Sequence, residues 1–245
     1  MGSGGSNQSG GGGGGGAEQG GATQPPQDVP KHTGSTDGKD HSKIYDEDPT
    51  VNPGGQLVGE GGLVENMPKE VQDSIVAYTG GEVTGGARFG RMSAEELNRV
   101  LRDPEFRESL GRLDPARLKI ADAYQKELNR SLDRLRSYKG EVYRTIDDAT
   151  GNIAKKFEPG RPYKFDEFLS TSRSTNPSYK PFADARRGQT RFKIEATGKG
   201  GKWVEKISEF TPEREVLFKS GSRFMVTSRK FNAQRGTWDI SLREI

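Results

Sequence analysis

The hydrophobic period of this chain changes once, near Gly140, and that change constrains the fold more than any single motif does. Before it, apolar residues recur at three- and four-residue steps; after it come short runs rich in valine, tyrosine, phenylalanine and isoleucine, separated by turn residues. Upstream, Pro68 suits a first helical turn, Val71, Ile75 and Tyr78 share a face, and Gly80 with Gly81 stops the helix. Ser93 followed by Glu96 reads as a capping box ahead of Leu97, Val100 and Leu101. Asp114 and Pro115 open the longest predicted helix, whose stripe is Leu118, Ala121, Gln125, Leu128, Leu132 and Leu135, with Gly140 as its end. Downstream, strands are expected at 141–146, 165–172, 190–196, 203–207, 215–218, 223–229 and 238–243. Gly198-Lys199-Gly200-Gly201-Lys202 lacks the Lys-Ser/Thr ending of a phosphate-binding loop and joins two strand-like runs, so it is predicted to be a hairpin turn. Helices first and strands afterwards make an α+β domain, with N-terminal helices followed by two packed, mainly antiparallel β-sheets.

Composition sets the expected boundary of that domain. Residues 1–62 hold more than half of the 34 glycines, almost no aromatic or branched apolar side chains and no periodicity, and are expected to form a disordered leader or linker ahead of a domain at 63–245. Through Gly62 there are 3 Lys or Arg against 8 Asp or Glu, which leaves 35 basic and 27 acidic side chains in the remainder, so an acidic leader precedes a basic domain. A basic surface suits nucleic acid or an anionic dinucleotide equally well. Stable nucleic-acid binding is not expected, because no ribonucleoprotein motif, zinc finger or helix-turn-helix pattern accompanies the charge.

Several chemistries drop out on residue type. The chain has no cysteine and its two histidines, His32 and His41, lie in the leader, which excludes disulfides and a His/Cys zinc site; carboxylate-bound magnesium or calcium stays open, but nothing resembles an EF-hand loop and no metal is expected. Asp46, Glu47 and Asp48 read as a solvated acidic run. The N-terminus lacks signal-peptide character and no stretch is apolar enough to span a membrane, so any export is expected to use another route.

Three polar clusters remain, each on or beside an expected strand: Arg144 after Tyr143, Ser170-Thr171-Ser172, and Glu213 with Glu215. Strand alternation aims Ser170 and Ser172 to one side and Thr171 to the other, and it places Glu213 and Glu215 on a common face. Taken singly, each is an ordinary strand-edge feature. With no histidine in the domain, Ser170 has no partner for a Ser-His-Asp arrangement.

In this order the clusters resemble the Arg, Ser, Glu signature of the arginine-directed mono-ADP-ribosyltransferase toxins, and the resemblance runs over about residues 70–245, from Tyr78-Thr79 to Lys219-Ser220-Gly221-Ser222-Arg223-Phe224. It implies a cleft for NAD, which is consumed as a substrate. Arg144 and Tyr143, with Ser170, Thr171 and Ser172, would organise the dinucleotide. Glu215 would stabilise the ribose cation, Ser170 would orient that glutamate, and Glu213 would align an incoming guanidinium; glutamate at 213 is what points to arginine as acceptor. Ser208 and Phe210, in the loop ahead of the acids, would recognise the acceptor. Thr145 departs from the glycine usual after the family's arginine. The implied partner is a target protein with an accessible arginine, with room for a neutralising immunity protein, and the implied setting is the cytoplasm of a target cell reached by secretion or injection. The alternatives are an NAD glycohydrolase or nucleic-acid modifier using the same site, and a non-catalytic NAD-binding module.

Overall fold

Side-chain caps begin three of the helices that precede the main strands. The computed structural model describes residues 55–80, 89–174, 187–208 and 214–245, which lie in the unit Asp40–Ile245. Helix α1 (Lys69–Thr79) follows Pro68 and ends at Gly80, whose N–H donates to the Val76 carbonyl. Helix α2 (Ala94–Arg102) starts where Ser93 Oγ accepts the Glu96 N–H at 3.1 Å, α3 (Pro104–Leu113) where Asp103 accepts from Phe106 at 3.0 Å, and α4 (Pro115–Asp133) where Asp114 accepts from Arg117 at 2.9 Å. The reciprocal half of the expected capping box gives way to a stronger bond: the Glu96 carboxylate takes the fork of Arg117 at 2.7 and 2.5 Å. Helix α3 was not expected from the sequence, because none of its residues is buried and it therefore carries no legible stripe.

Helix α4 stops at Asp133, seven residues before the expected end at Gly140. Gly140 instead lies inside strand β2 (Ser137–Asp147), where φ is 151° and an added Cβ would sit 2.7 Å from the Tyr138 hydroxyl oxygen. The strand begins early because Ser137 and Tyr138 are buried, and Leu135 covers the helical core from the connection.

The other strands are β1 (Gln56–Val58), β3 (Pro162–Lys164), β4 (Leu169–Ser172), β5 (Gln189–Trp203), β6 (Glu215–Phe218), β7 (Arg223–Asn232) and β8 (Thr237–Glu244), with a short helix α5 (Asn152–Lys155) after β2. They pair in the order β1-β2-β4-β6-β5-β8-β7-β3, and β2 also pairs with β5. All pairs are antiparallel except β5 with β8. The two halves of this network meet in β5, whose residues 189–197 pair with β2 while 201–203 pair with β6.

That double role corrects the expected hairpin at 198–202. The run expected at 190–196 continues through the glycines, which bend it, and ends at Trp203, while 204–207 of the second expected run form a turn. Gly198 has φ 93°, the β2 pairing jumps between Thr197 and Lys202, and the Glu244 carboxylate collects the N–H groups of Thr197, Lys199 and Gly200. Backbone groups freed by the bulge are thus satisfied by one buried acid.

Two cores result. One fills the space enclosed by the strands, around Val142, Phe165, Leu169, Phe192, Val216, Phe218 and Phe224. The other joins helices to sheet, around Ile75, Tyr78, Leu97, Tyr124, Leu128, Leu132, Phe168 and Leu217. Strand β6 is buried on both faces, with Val216 and Phe218 in the first core and Leu217 in the second. Strand β1 lies ahead of the expected boundary at residue 62: it pairs with β2, and Leu57, 3% exposed, belongs to the strand core. Three residues are too few to show a period.

A Cβ at Gly198 would meet the Val58 side chain on a backbone that L residues rarely adopt. Gly198→Ala is expected to lower the unfolding free energy by about 1–3 kcal/mol, read as a fall in urea midpoint; an unchanged midpoint would show that another residue sets the bend.

Candidate active site

Register between β4 and β6 brings the polar residues together. Ser172 lies opposite Glu215, Thr171 opposite Val216 and Ser170 opposite Leu217, and directly opposed residues share a face. Ser170, Ser172 and Glu215 therefore face the helical layer, as Leu217 does. Thr171 turns inward, and its hydroxyl donates to the Val216 carbonyl at 2.6 Å, which ties the two strands together. Ser172 Oγ accepts the N–H of Ser174 at 3.0 Å and so shapes the exit from β4.

Glu215 is only 3% exposed, and its Oε2 accepts the Ser208 hydroxyl at 2.9 Å. Burial raises the pKa of this carboxyl above the ordinary range, against the opposing pull of hydrogen bonds from Ser208 and Ser170 and of the Arg144 charge. Strands β2 and β4 meet at one residue pair, Tyr143 with Ser172. Beside that pair, Arg144 Nη1 donates to the Ser170 carbonyl at 2.6 Å. Burial lowers the pKa of Arg144, while Tyr78, Glu167 and Glu215 oppose the shift and Arg102 adds to it; an arginine starts so high that it stays cationic.

Tyr78 closes the group from α1. Its ring lies against Phe168 with centroids 5.3 Å apart, and its hydroxyl accepts from Asn98 Nδ2 at 2.8 Å. Asn98 also takes the Phe168 N–H at 3.1 Å and gives to the Phe168 carbonyl at 3.2 Å, fixing the chain as it enters β4. Burial pushes the Tyr78 phenol up to about 12, with the Asn98, Ser170 and Arg144 contacts pulling it down, so the phenol is neutral and can donate. A shielded carboxylate, two hydroxyls and a cation held on the strands and the elements beside them can stabilise a developing positive charge beside an anionic ligand.

Residues 88–244 match the ADP-ribosyltransferase exoenzyme family. The chain belongs to that family. Over 219 residues it is 27% identical to Mav, an inferred NAD(+)–arginine ADP-ribosyltransferase of Mycobacterium avium strain 104, an alignment that takes in 89% of this chain and 24% of the relative. The chain thus spans about a quarter of that relative's length. Among solved structures it is similar to the ADP-ribosyltransferase Vis of Vibrio splendidus in complex with agmatine, with TM-score 0.54, 17% identity and coverage of 74% of this chain and 76% of Vis. It is also similar to Plx2a, an ADP-ribosyltransferase toxin of Paenibacillus larvae, with TM-score 0.51, 20% identity and coverage of 74% and 88%. At those identities the two structures speak for the fold. The α+β architecture expected from the change of period is therefore the exoenzyme fold.

Within this exoenzyme domain the structure brings together Arg144, Ser170, Ser208 and Glu215. Tyr143 pairs with Ser172 across β2 and β4, while its hydroxyl is engaged at Glu141 Oε2, to which it donates at 3.1 Å beside the ion pair of Glu141 with Lys193. Phe210 and Glu213 lie outside the described residues. Arg214, with φ 53°, immediately precedes the start of β6. Thr145 is buried within β2.

Sequence reasoning passed over Asn98, Arg102 and Glu167. Asn98 is a polar residue inside the apolar stripe Leu97, Val100, Leu101, which was the available signal. Arg102 and Glu167 gather with Arg144 through charge, between segments far apart in sequence, and nothing local marks them. Burial raises the pKa of the Glu167 carboxyl, opposed by Arg102 and Arg144. Among the described residues, no helix is long and apolar enough to cross a membrane.

A raised carboxyl pKa means that the folded chain holds the Glu215 proton more readily than the unfolded chain does. The stability this group contributes is complete below the ordinary carboxyl pKa and is lost as pH rises through its raised folded value. Glu215→Gln is expected to melt higher than wild type at neutral pH, with the gain vanishing near pH ~3, where both states are protonated. A lower melting temperature at neutral pH would contradict the burial argument.

Proposed function

We propose that this exoenzyme domain transfers ADP-ribose from NAD to an arginine side chain of a target protein and releases nicotinamide. The observation that carries the reading is the buried Glu215 carboxylate, hydrogen-bonded to Ser208 and flanked by Ser170 and Arg144 in one group. Arg144, with Arg102 as a second cation, holds the diphosphate, a role suited to a forked and permanently charged donor. Ser170 and Ser208 keep the carboxylate aligned, and Tyr78 offers a neutral phenol at the same place. Glu215 accepts a hydrogen bond from the ribose 2′-hydroxyl and stabilises the cation that forms as the bond to nicotinamide breaks.

Arginine as acceptor is supported by the Glu-Arg-Glu sequence at 213–215, by the name of the Mycobacterium avium relative and by the binding of agmatine, a guanidinium compound, to Vis. Glu213 aligns the incoming guanidinium, and Phe210 contributes to recognising the protein that carries it. The catalytic unit we assign takes in β1, and the glycine-rich residues ahead of it serve as a leader. The family setting supports a secreted or injected toxin or effector that acts inside a target cell.

Release of nicotinamide from NAD, measured with and without agmatine, tests the reaction. Purified chain is expected to release nicotinamide and form an ADP-ribosyl-agmatine adduct. Release that ignores agmatine and leaves no adduct would make it a glycohydrolase, and NAD binding without turnover would make it a binding module. Glu215→Ala is expected to lower turnover by roughly 10²- to 10³-fold, about 3–4 kcal/mol of transition-state stabilisation; full activity in that variant would remove Glu215 from the chemistry. Glu213→Gln is expected to keep slow NAD hydrolysis and lose transfer to agmatine, and retained transfer would reassign the acceptor role.

A further inference from the structure

Beside Glu215 lies a second buried polar cluster that the reaction does not use directly. The Glu205 carboxylate, 2% exposed, accepts Arg173 Nε at 2.9 Å, Trp203 Nε1 at 2.9 Å and Arg214 Nη1 at 2.6 Å. Arg173 follows the last residue of β4, Trp203 ends β5, and Arg214 immediately precedes Glu215. Backbone bonds run through the same place: Arg173 N–H to the Arg214 carbonyl at 3.1 Å, Val204 N–H to the Glu215 carbonyl at 3.2 Å, and Ser208 N–H to the Val204 carbonyl at 3.1 Å. One carboxylate therefore joins the exit of the Ser170 strand, the turn that carries Ser208 and the entry to the Glu215 strand.

Two features say that this cluster sets geometry rather than adding stability. A buried ion pair gains little over well-packed apolar residues of the same volume, because both charges must leave water; what it does supply is a single arrangement with all its donors directed. Arg214 also holds φ 53°, a left-handed conformation that costs a long side chain about 1–3 kcal/mol and persists only where its surroundings enforce it. Glu205 grips that side chain.

We propose that Glu205 is a positioning residue for the reaction: without reaching substrate, it fixes the turn bearing Ser208 against the start of β6, so that the Glu215 carboxylate is presented in one orientation. The inference rests on the reading of Glu215 as the reacting carboxylate. In this reading NAD is held by Arg144, which bonds to the Ser170 carbonyl, and by Arg102, and not by the cluster, so the effect belongs in kcat and not in the KM for NAD.

The test is a double-mutant cycle on nicotinamide release by the full chain: wild type, Glu205→Gln, Ser208→Ala and the double variant. Each single change is expected to lower kcat about 10-fold and leave the KM for NAD within about twofold, the pattern of lost orientation without lost binding. The double variant is expected to fall no more than about twofold below the weaker single, because both changes act through the same carboxylate. Wild-type kcat in Glu205→Gln, or losses that multiply in the double variant, would overturn the proposal. If Glu205→Gln does not fold, Arg214→Asn takes its place, since asparagine tolerates the left-handed backbone. It is expected to lower kcat about threefold and to be non-additive with Ser208→Ala, and multiplying losses would again overturn the idea. Absence of nicotinamide release by wild type would instead sink the reading of the site itself.

Discussion

Taking one carboxylate out of water is the constraint around which this domain is arranged. Glu215 begins a strand whose other three residues are wholly enclosed, with apolar cores on either side. A charged group there is tolerable only with hydrogen bonds and a counter-charge close at hand. Ser208, Ser170 and Arg144 meet that need from three separate segments. The compensation is incomplete, since burial still outweighs these partners and the carboxyl remains harder to ionise than in water. A group held in that condition favours positive charge forming beside it, so the cost borne by the folded state and the capacity to stabilise a cation share one origin.

The strand network explains why the group can be both rigid and reachable. β5 is long enough to pair with β2 and β8 at one end and with β6 at the other, and its bend is held by Glu244. Because β2 and β4 share a single residue pair, they are free to diverge beside it, and there the Arg144 side chain, rather than a backbone ladder, engages Ser170. The helical layer completes the place. Asn98 binds both backbone groups of Phe168, so the entry to β4 is fixed by α2 as well as by β6.

Capping and local period were legible in the sequence because they act within a few residues. Asp114-Pro115, Ser93 and the limits of β6 belong to this class, and so does the order of helices before strands. Features decided by distant partners were not. The glycines at 198–201 carry the composition of a hairpin, yet the pull of β2, β6 and Glu244 makes them a bend in a continuous strand. Helix α3 has no fully buried residue to mark its face, and β1 is too short to show alternation. In the site, the resemblance carried by the ordered clusters implied that Arg144, Ser170 and Glu215 meet, while nothing in the sequence marks that the Tyr143 hydroxyl is taken by Glu141. Glu205 and Arg173, 32 positions apart, pair only once the strands are aligned, and the left-handed Arg214 has no signature in a sequence dense with charge.

In the function proposed, a guanidinium, a serine hydroxyl and a shielded carboxylate surround one dinucleotide. A crystal structure of the Glu215→Gln chain with NAD bound tests it most directly. The expected result has the nicotinamide ribose within hydrogen-bonding distance of residue 215 and Ser170, and the diphosphate on Arg144. A dinucleotide seated elsewhere on the domain, with Arg144 and residue 215 untouched, would contradict it.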